Sequence, residues 1–395
     1  MKLLVCNAGS TSLKFKLFIM PEEEILAEGK VERVGSTEHA IFHFQKPDGF
    51  KIHQEGQCIP SYTEGIRMFL DCLLDEENGV LSSLQELERV GFKTVLSKGH
   101  YGIHELTPEV LKGMEDYLVV APAHNIPYLA AIRQFQELTP HAMLVGAFET
   151  AFHTTIPLER KMYGIPYEWY EKYGIERLGY HGASHSYISE TLETMYGTTG
   201  KAISCHLGGS GSLCAIDNGK SVDTSFGLSL QTGLIQSGRN GDMDPFIIPF
   251  LQKEGMDLEE ILEGLTRRGG LLGISGVSND LRDIEEAANT GNTRAQLAID
   301  VFCNGIVRYI GSYYAELGGL DHLIFTGGIG EHGITIRSMV CDQLKHMGIL
   351  LDPKKNLDYS ENAVISLKDS PVTIHVIPAN EELGVARKTY AYTKA

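Results

Sequence analysis

The sequence predicts an α/β protein of two lobes built on one repeated plan. Three observations lead there. The chain has 395 residues, more than a single domain of ordinary size. A strand, polar loop and strand pattern occurs at the start and returns near residue 202. Helical periodicities and a further glycine cluster behind an apolar run fill the remainder, as alternating folds require.

In the first pattern, residues 3–6 are a short apolar run, Asn7-Ala8-Gly9-Ser10-Thr11-Ser12 has turn chemistry, and residues 13–18 alternate with period two. In the second, residues 202–205 lead into His206-Leu207-Gly208-Gly209-Ser210-Gly211-Ser212, followed by residues 213–216 and an Asp217-Asn218-Gly219 turn. Helices are expected over 127–138, with Pro127 in the tolerated first turn, over 184–196, and over 294–317 with a break near Gly311. The apolar run 323–325 precedes Thr326-Gly327-Gly328-Ile329-Gly330-Glu331, and no low-complexity linker is present.

Composition narrows the function. The formal charge is −17 and no Lys/Arg run stands out, which argues against a nucleic-acid partner and against an anionic membrane surface. Anionic substrates would have to be drawn in by a local cluster of cations. No stretch of about 18 apolar residues occurs, and the opening segment is too short for a signal-peptide core. The seven cysteines form no CxxC pair, which suits reduced thiols and a cytoplasmic location. Glycine is the informative excess, at 43 residues, or about 11% against a usual ~7%.

The glycine and serine loops point to an anion. Small residues let backbone N–H groups and hydroxyls converge on a ligand, and Lys14 is placed to add a cation. The first loop is no Walker A motif, since GxxxxGK[ST] is absent and a strand follows it. Each loop alone also reads as a plain turn; the three together make coincidence much less attractive. His181 and His185 have a spacing that can hold zinc, but no glutamate lies between them and Gly182 makes His181 a loop residue. Gly238-Arg239-Asn240-Gly241-Asp242-Met243-Asp244-Pro245 reads either as a solvated turn with an Arg–Asp pair or as an anion-directed arginine.

These segments resemble the acetate kinases, within the acetate and sugar kinase and actin superfamily. The resemblance runs over nearly the whole chain. It takes in residues 7–14, Ala121-Pro122-Ala123-His124-Asn125, Glu149-Thr150-Ala151-Phe152-His153, residues 165–170, the His181 segment and residues 222–225. It continues through residues 241–245, residues 273–276 and 280–283, the Gly327-Gly328-Ile329-Gly330-Glu331 turn and Asn380-Glu381-Glu382. It implies a duplicated actin-like (ribonuclease H-like) fold with a central nucleotide cleft. The expected lobes are 1–150 with 381–395, and 151–380, able to hinge.

The resemblance also implies roles. Asn7 and Glu381 match positions that hold Mg²⁺, and Lys14 matches a contact to the nucleotide phosphates. His206, Leu207, Gly208, Gly209 and Ser210 match one ATP-binding segment. Asp280, Leu281 and Arg282 match a second, and Gly328, Ile329, Gly330, Glu331 and His332 a third. His181 and Arg239 match the two stabilisers of the transition state, and Glu149 a catalytic carboxylate near the metal. The activity implied is ATP-dependent phosphorylation of a short-chain carboxylate, by a protein that is usually a homodimer.

Departures from the family pattern concentrate at the acceptor. The family's Gly-His-Arg-x-x-His-Gly-Gly stands here as Gly91-Phe92-Lys93-Thr94-Val95-Leu96-Ser97-Lys98, so Lys93 replaces the carboxylate-binding arginine. Glu149 replaces an aspartate, and Gly209-Ser210 replaces Asn-Gly. Lysine keeps the charge but loses the planar fork, and Phe92 and Leu96 are expected to give the acceptor a more apolar wall. Two other readings stay open at this stage: a phosphotransferase with another acceptor or donor, and a catalytically impaired nucleotide-binding regulator.

Overall fold

A continuous apolar run at the centre and alternating strands outside it build the first sheet. β1 (Lys2–Ala8) and β2 (Ser12–Ile19) pair antiparallel, with Asn7 opposite Lys14. β3 (Glu24–Glu32), β4 (Ser36–Gln45) and β5 (Lys51–Ile59) extend this meander outward. On the other side of β1, β6 (Leu87–Phe92) runs parallel to it. β7 (Ile103–Glu105) closes the edge antiparallel to β8 (Met143–Ala147), which is parallel to β6. The structure, a computed structural model, describes residues 1–9, 11–120, 122–360 and 362–393. Ser10 and Ala121, each part of a segment singled out above, lie outside the described residues.

The chain divides into two compact units, Met1–Thr154 with Asn380–Ala395, and Thr155–Ala379. In the first, successive residues of β6 show how the layers form. Phe92 packs edge-on against Phe135 of the helix Pro122–Leu138, with ring centroids 5.6 Å apart. Gly91 faces the other way, and a Cβ there would run into Thr389 of the helix Glu381–Ala391. Adjacent strand residues point to opposite faces, so helices cover both. The helix Tyr62–Leu73 joins the Phe92 side, stacking Phe69 on Phe15 at 4.4 Å.

The second unit repeats the plan. β9 (Lys201–His206), β10 (Ser212–Asp217) and β11 (Lys220–Thr224) form the antiparallel meander. β12 (His322–Thr326) runs parallel to β9, and β14 (Thr373–Val376) parallel to β12, with β13 (Ala363–Val364) antiparallel at the edge. The order β11-β10-β9-β12-β14 matches β3-β2-β1-β6-β8 strand for strand and direction for direction. The duplication legible in the two loop patterns is therefore a duplication of the sheets themselves.

Two helices differ from expectation. The helix expected from Pro127 begins at Pro122 and carries Pro127 inside it. The hydrogen bond lost at an interior proline is offset by the buried face of Tyr128, Leu129, Ala131, Ile132 and Phe135. The helix Thr293–Leu317 is continuous through Gly311. A mid-helix glycine costs about 1 kcal/mol, less than the flanking Ile306, Ile310 and Tyr313 gain by burial.

His322 and His375 lie buried side by side, with Nδ1 of the first 3.2 Å from Nε2 of the second. Burial, and secondarily the His322 charge, depress the His375 imidazole to about 4. A depressed histidine takes up its proton more readily when unfolded, so its contribution is complete above about pH 6.5 and is lost as pH falls toward 4. Chemical denaturation across this window is expected to show a loss on the order of 3 kcal/mol, reduced in His375→Phe to the smaller part that the buried His322 contributes. All seven cysteines are free. Among the described residues no helix is long and apolar enough to cross a membrane.

Candidate active site

Ligand-binding groups in open α/β sheets collect at the carboxyl ends of parallel strands, and both units follow this. In the second unit β9 and β12 end level, with His206 in register with Thr326. The carbonyl of Leu207 accepts from the N–H groups of Ile329 and Gly330 at 2.8 and 3.1 Å. One buried backbone oxygen thus ties two glycine segments together. Next to them lies a cavity of about 450 Å³. Gly208, Gly209, Asp280, Leu281, Arg282, Gly328, Ile329 and His332 line it, together with Ser237, Asn279, Glu285 and Gly333.

The other residues expected to bind ATP lie outside this lining. Leu207 and Gly330 are buried behind it, and Glu331 turns away to accept the Ala379 N–H at 3.0 Å. Ser210 faces Arg239, and His206 faces His181. Lys14 belongs to the first unit. Asp280 caps the helix Leu281–Asn289 and grips Arg282 through two bonds, Nε–Oδ1 at 3.0 Å and a second to Oδ2. These bonds hold its carboxyl down to about 2.

Arg239 is held by neutral oxygens. Its guanidinium donates to Ser210 Oγ at 3.2 Å and to Gln236 Oε1 at 2.9 Å, and Ser210 itself donates to Gln236 at 2.9 Å. Among the described residues no carboxylate forms an ion pair with it. Asp242 is occupied elsewhere, accepting the Gly233 N–H at 2.8 Å and the Tyr309 hydroxyl at 2.6 Å. The solvated Arg–Asp turn is therefore not what forms. Gly241 has φ +71, and a Cβ there would come within 2.7 Å of the Ile235 nitrogen, so only glycine lets the loop fold back this tightly. Burial disfavours the Arg239 charge, which an incoming anion would relieve.

His181 sits at φ 58, a left-handed conformation unusual for a side chain of this size. It caps the helix Gly182–Tyr196, two residues earlier than the expected start. Its Nδ1 and the Nε2 of His185 both meet the Ser212 hydroxyl, at 2.9 and 3.0 Å. His185 Nδ1 faces Ser204 Oγ at 2.9 Å. The zinc reading of this pair fails here: the ring nitrogens converge on a serine, and among the described residues no group of three His, Cys, Asp or Glu side chains is placed to hold a metal ion. The His206 ring lies 4.1 Å from that of His181, tilted by 30°, and its Nδ1 meets Ser184 Oγ at 2.8 Å.

In the first unit β1, β6 and β8 are mutually parallel neighbours and end together, which brings Asn7, Lys93 and Glu149 to one edge. Glu381 reaches the same place from the first turn of its helix, where a negative charge is favoured. Lys93 donates to Glu381 Oε2 at 2.8 Å and lies 3.7 Å from Glu149 Oε1. Burial works against the ammonium, but the Glu149 and Glu381 charges outweigh it and hold Lys93 well above the ordinary lysine range. Phe92 and Leu96 are fully buried. They belong to the core and form no acceptor wall, because the strand's alternation turns Phe92 toward the helix Pro122–Leu138.

Three partners of these candidate residues escaped sequence reasoning. Tyr128 donates to Asn7 Oδ1 at 2.8 Å, its phenol kept protonated by burial. Its signal was masked by its place in an apolar helical pattern. Gln236 orients Arg239 and stands in no motif. Arg337, fully buried, donates to the carbonyls of Gly330 and Glu331 at 2.8 and 2.7 Å and to Asn356 Oδ1 at 2.6 Å. It pins the glycine turn from beneath. The oxygen donors Asn7, Glu149 and Glu381 are the chemistry that Mg²⁺ takes, one or two carboxylates with water and phosphate completing its shell; the donor set fits that ion.

A model of the acetokinase family matches residues 2–387. The acetate kinase of Geobacillus sp. (strain WCH70) is 44% identical over 391 residues, covering 98% of this chain and 97% of that protein. The acetate kinase of Treponema denticola is 42% identical over the whole of both chains. Among solved structures, Porphyromonas gingivalis acetate kinase superposes with a TM-score of 0.88 at 38% identity, covering 98% of each chain. A propionate kinase from Francisella tularensis reaches 0.91 at 33% identity, covering 99% of this chain and all of its own. With the repeated α/β sheets and full-length similarity in agreement, the chain belongs to the acetokinase family.

Proposed function

We propose that this protein transfers the γ-phosphoryl group of ATP to a short-chain carboxylate, giving acyl phosphate and ADP. The observation that carries this reading is Arg239, a partly buried guanidinium held only by neutral oxygens beside the glycine loop. Its lack of a carboxylate partner among the described residues leaves it available to a transferring phosphoryl group. Relatives named acetate kinase and propionate kinase support the acceptor class.

The chemistry needs no general base. A carboxylic acid has a pKa near 4, so the acceptor is already an anionic nucleophile at neutral pH. The barrier is the approach of one anion to another, and catalysis rests on positioning and charge neutralisation. Arg239 and His181 neutralise the equatorial oxygens, the Ser212 bond fixing the His181 ring. The glycine segments bind the nucleotide, and Lys14 contacts its phosphates. Asn7 and Glu381 would hold Mg²⁺ with Glu149 beside them, and the ion would add to the neutralisation of the phosphates. Lys93 then attracts the acceptor carboxylate as a point charge.

Lys93 is engaged by two glutamates, and this favours an acceptor other than acetate or a looser grip on acetate. A hydroxamate assay with Mg-ATP over formate through hexanoate and their functionalised relatives tests both points. Product with at least one acid is expected; none from folded, ATP-binding protein would refute the reading. The protein is proposed to act in the cytoplasm and as a homodimer; sedimentation of the purified chain will check the second point.

A further inference from the structure

We propose that His43 and His53 form a binding site for a transition-metal dication of tetragonal preference, Cu²⁺ or Ni²⁺. The pair lies on the outer strands of the first sheet, remote in sequence from every residue assigned above. β4 and β5 place the two histidines directly opposite one another. Their rings lie 4.5 Å apart, and the two Nδ1 atoms face each other at 3.0 Å.

The far side of each ring bears on what the near side does. His53 Nε2 lies 3.1 Å from Glu55 Oε1, and His43 Nε2 lies 3.6 Å from Glu32 Oε2. The hydrogen-bonded Glu55 carboxylate keeps the His53 proton on Nε2 and makes its Nδ1 the lone pair, whereas at 3.6 Å Glu32 leaves the His43 tautomer unset. His43 Nδ1 then either donates its proton to His53 Nδ1 or, in the other tautomer, sets a second lone pair beside it, the form that a metal ion selects. Carboxylate, imidazole and metal in series is also how ligating histidines are oriented and made more basic.

Distance selects the class. With metal–nitrogen bonds of about 2.05 Å, two nitrogens 3.0 Å apart subtend about 95°. That is the cis angle of a tetragonal site and falls short of the tetrahedral one that zinc prefers. Imidazole nitrogen suits Cu²⁺ and Ni²⁺ better than Mg²⁺. Lys30, opposite His43, is paired with Glu32, and Lys16 with Glu28. Both histidines are partly exposed, at 38% and 55% for their side chains, so water completes the shell. Bound metal would clasp β4 to the edge strand β5.

Copper titration of the chelator-treated full-length protein, followed by electron paramagnetic resonance, tests this. One Cu²⁺ with superhyperfine coupling to two nitrogens is expected, bound more tightly than Zn²⁺. His53→Ala and His43→Ala should each abolish the two-nitrogen signal, and His100→Ala should retain it. Glu55→Gln should weaken binding roughly tenfold by removing the orienting carboxylate. Circular dichroism and acyl phosphate formation report that the strand variants remain folded. An unchanged signal in His53→Ala overturns the proposal. So does absence of copper binding with the two rings sharing a proton by NMR.

Discussion

Arg239→Ala is expected to lower kcat by about 10³–10⁵-fold, the range for an arginine that neutralises a transferring phosphoryl group, while the Kd for ATP changes only a few-fold. The split follows from where the side chain is held. Arg239 bonds Ser210 and Gln236, whereas the roughly 450 Å³ cavity is lined by other residues. Its removal should leave the nucleotide seated and take away charge that matters as bonds break. Gln236→Ala should give a smaller loss in the same parameter, since it costs orientation and not the cation. Single-turnover quench and isothermal titration separate the two quantities. Equal losses in kcat and ATP affinity would place Arg239 in ground-state binding instead.

Lys93→Met is expected to destabilise the fold by about 3–5 kcal/mol, toward the lower end because the side chain keeps some solvent contact. The reason is the company it leaves behind. Glu149 and Glu381 face one ammonium at 3.7 and 2.8 Å, and without it two partly buried carboxylates repel one another. Urea denaturation at pH 7 measures the loss. Lowering the pH to 5 should shrink it, because the stranded carboxylates then take up protons. The double variant Lys93→Met with Glu149→Gln should be less destabilised than the sum of the two single changes. Strict additivity would show that the cluster carries no coupling.

How much of this was legible beforehand depended on whether the signal was local. The loop-and-strand repeats announced two copies of one sheet, since period-two alternation and turn chemistry are properties of neighbouring residues. The glycine segments could be read as ligand loops because only small residues allow close backbone approach. Where several local signals competed, the reading drifted. Pro127 looked like a first-turn residue and proved interior, and Gly311 looked like a break and proved a bystander, because burial of a long apolar face outweighs either. Phe92 and Leu96 were expected at an acceptor wall but are core, since strand parity turns Phe92 inward.

Taken by itself, the amino-acid order determined the α/β class, the repeated plan, the family, and most of the residues that line the cavity of about 450 Å³. Tertiary structure alone decided the partnerships: Lys93 with two glutamates, Tyr128 with Asn7, Gln236 with Arg239, and Arg337 beneath the glycine turn. The physical reason is one of range. Propensity and periodicity act over a few residues and are written in local sequence. A charge or a hydrogen bond is indifferent to chain separation, and Lys93 and Glu381 meet only because parallel strands and a returning helix end at the same edge.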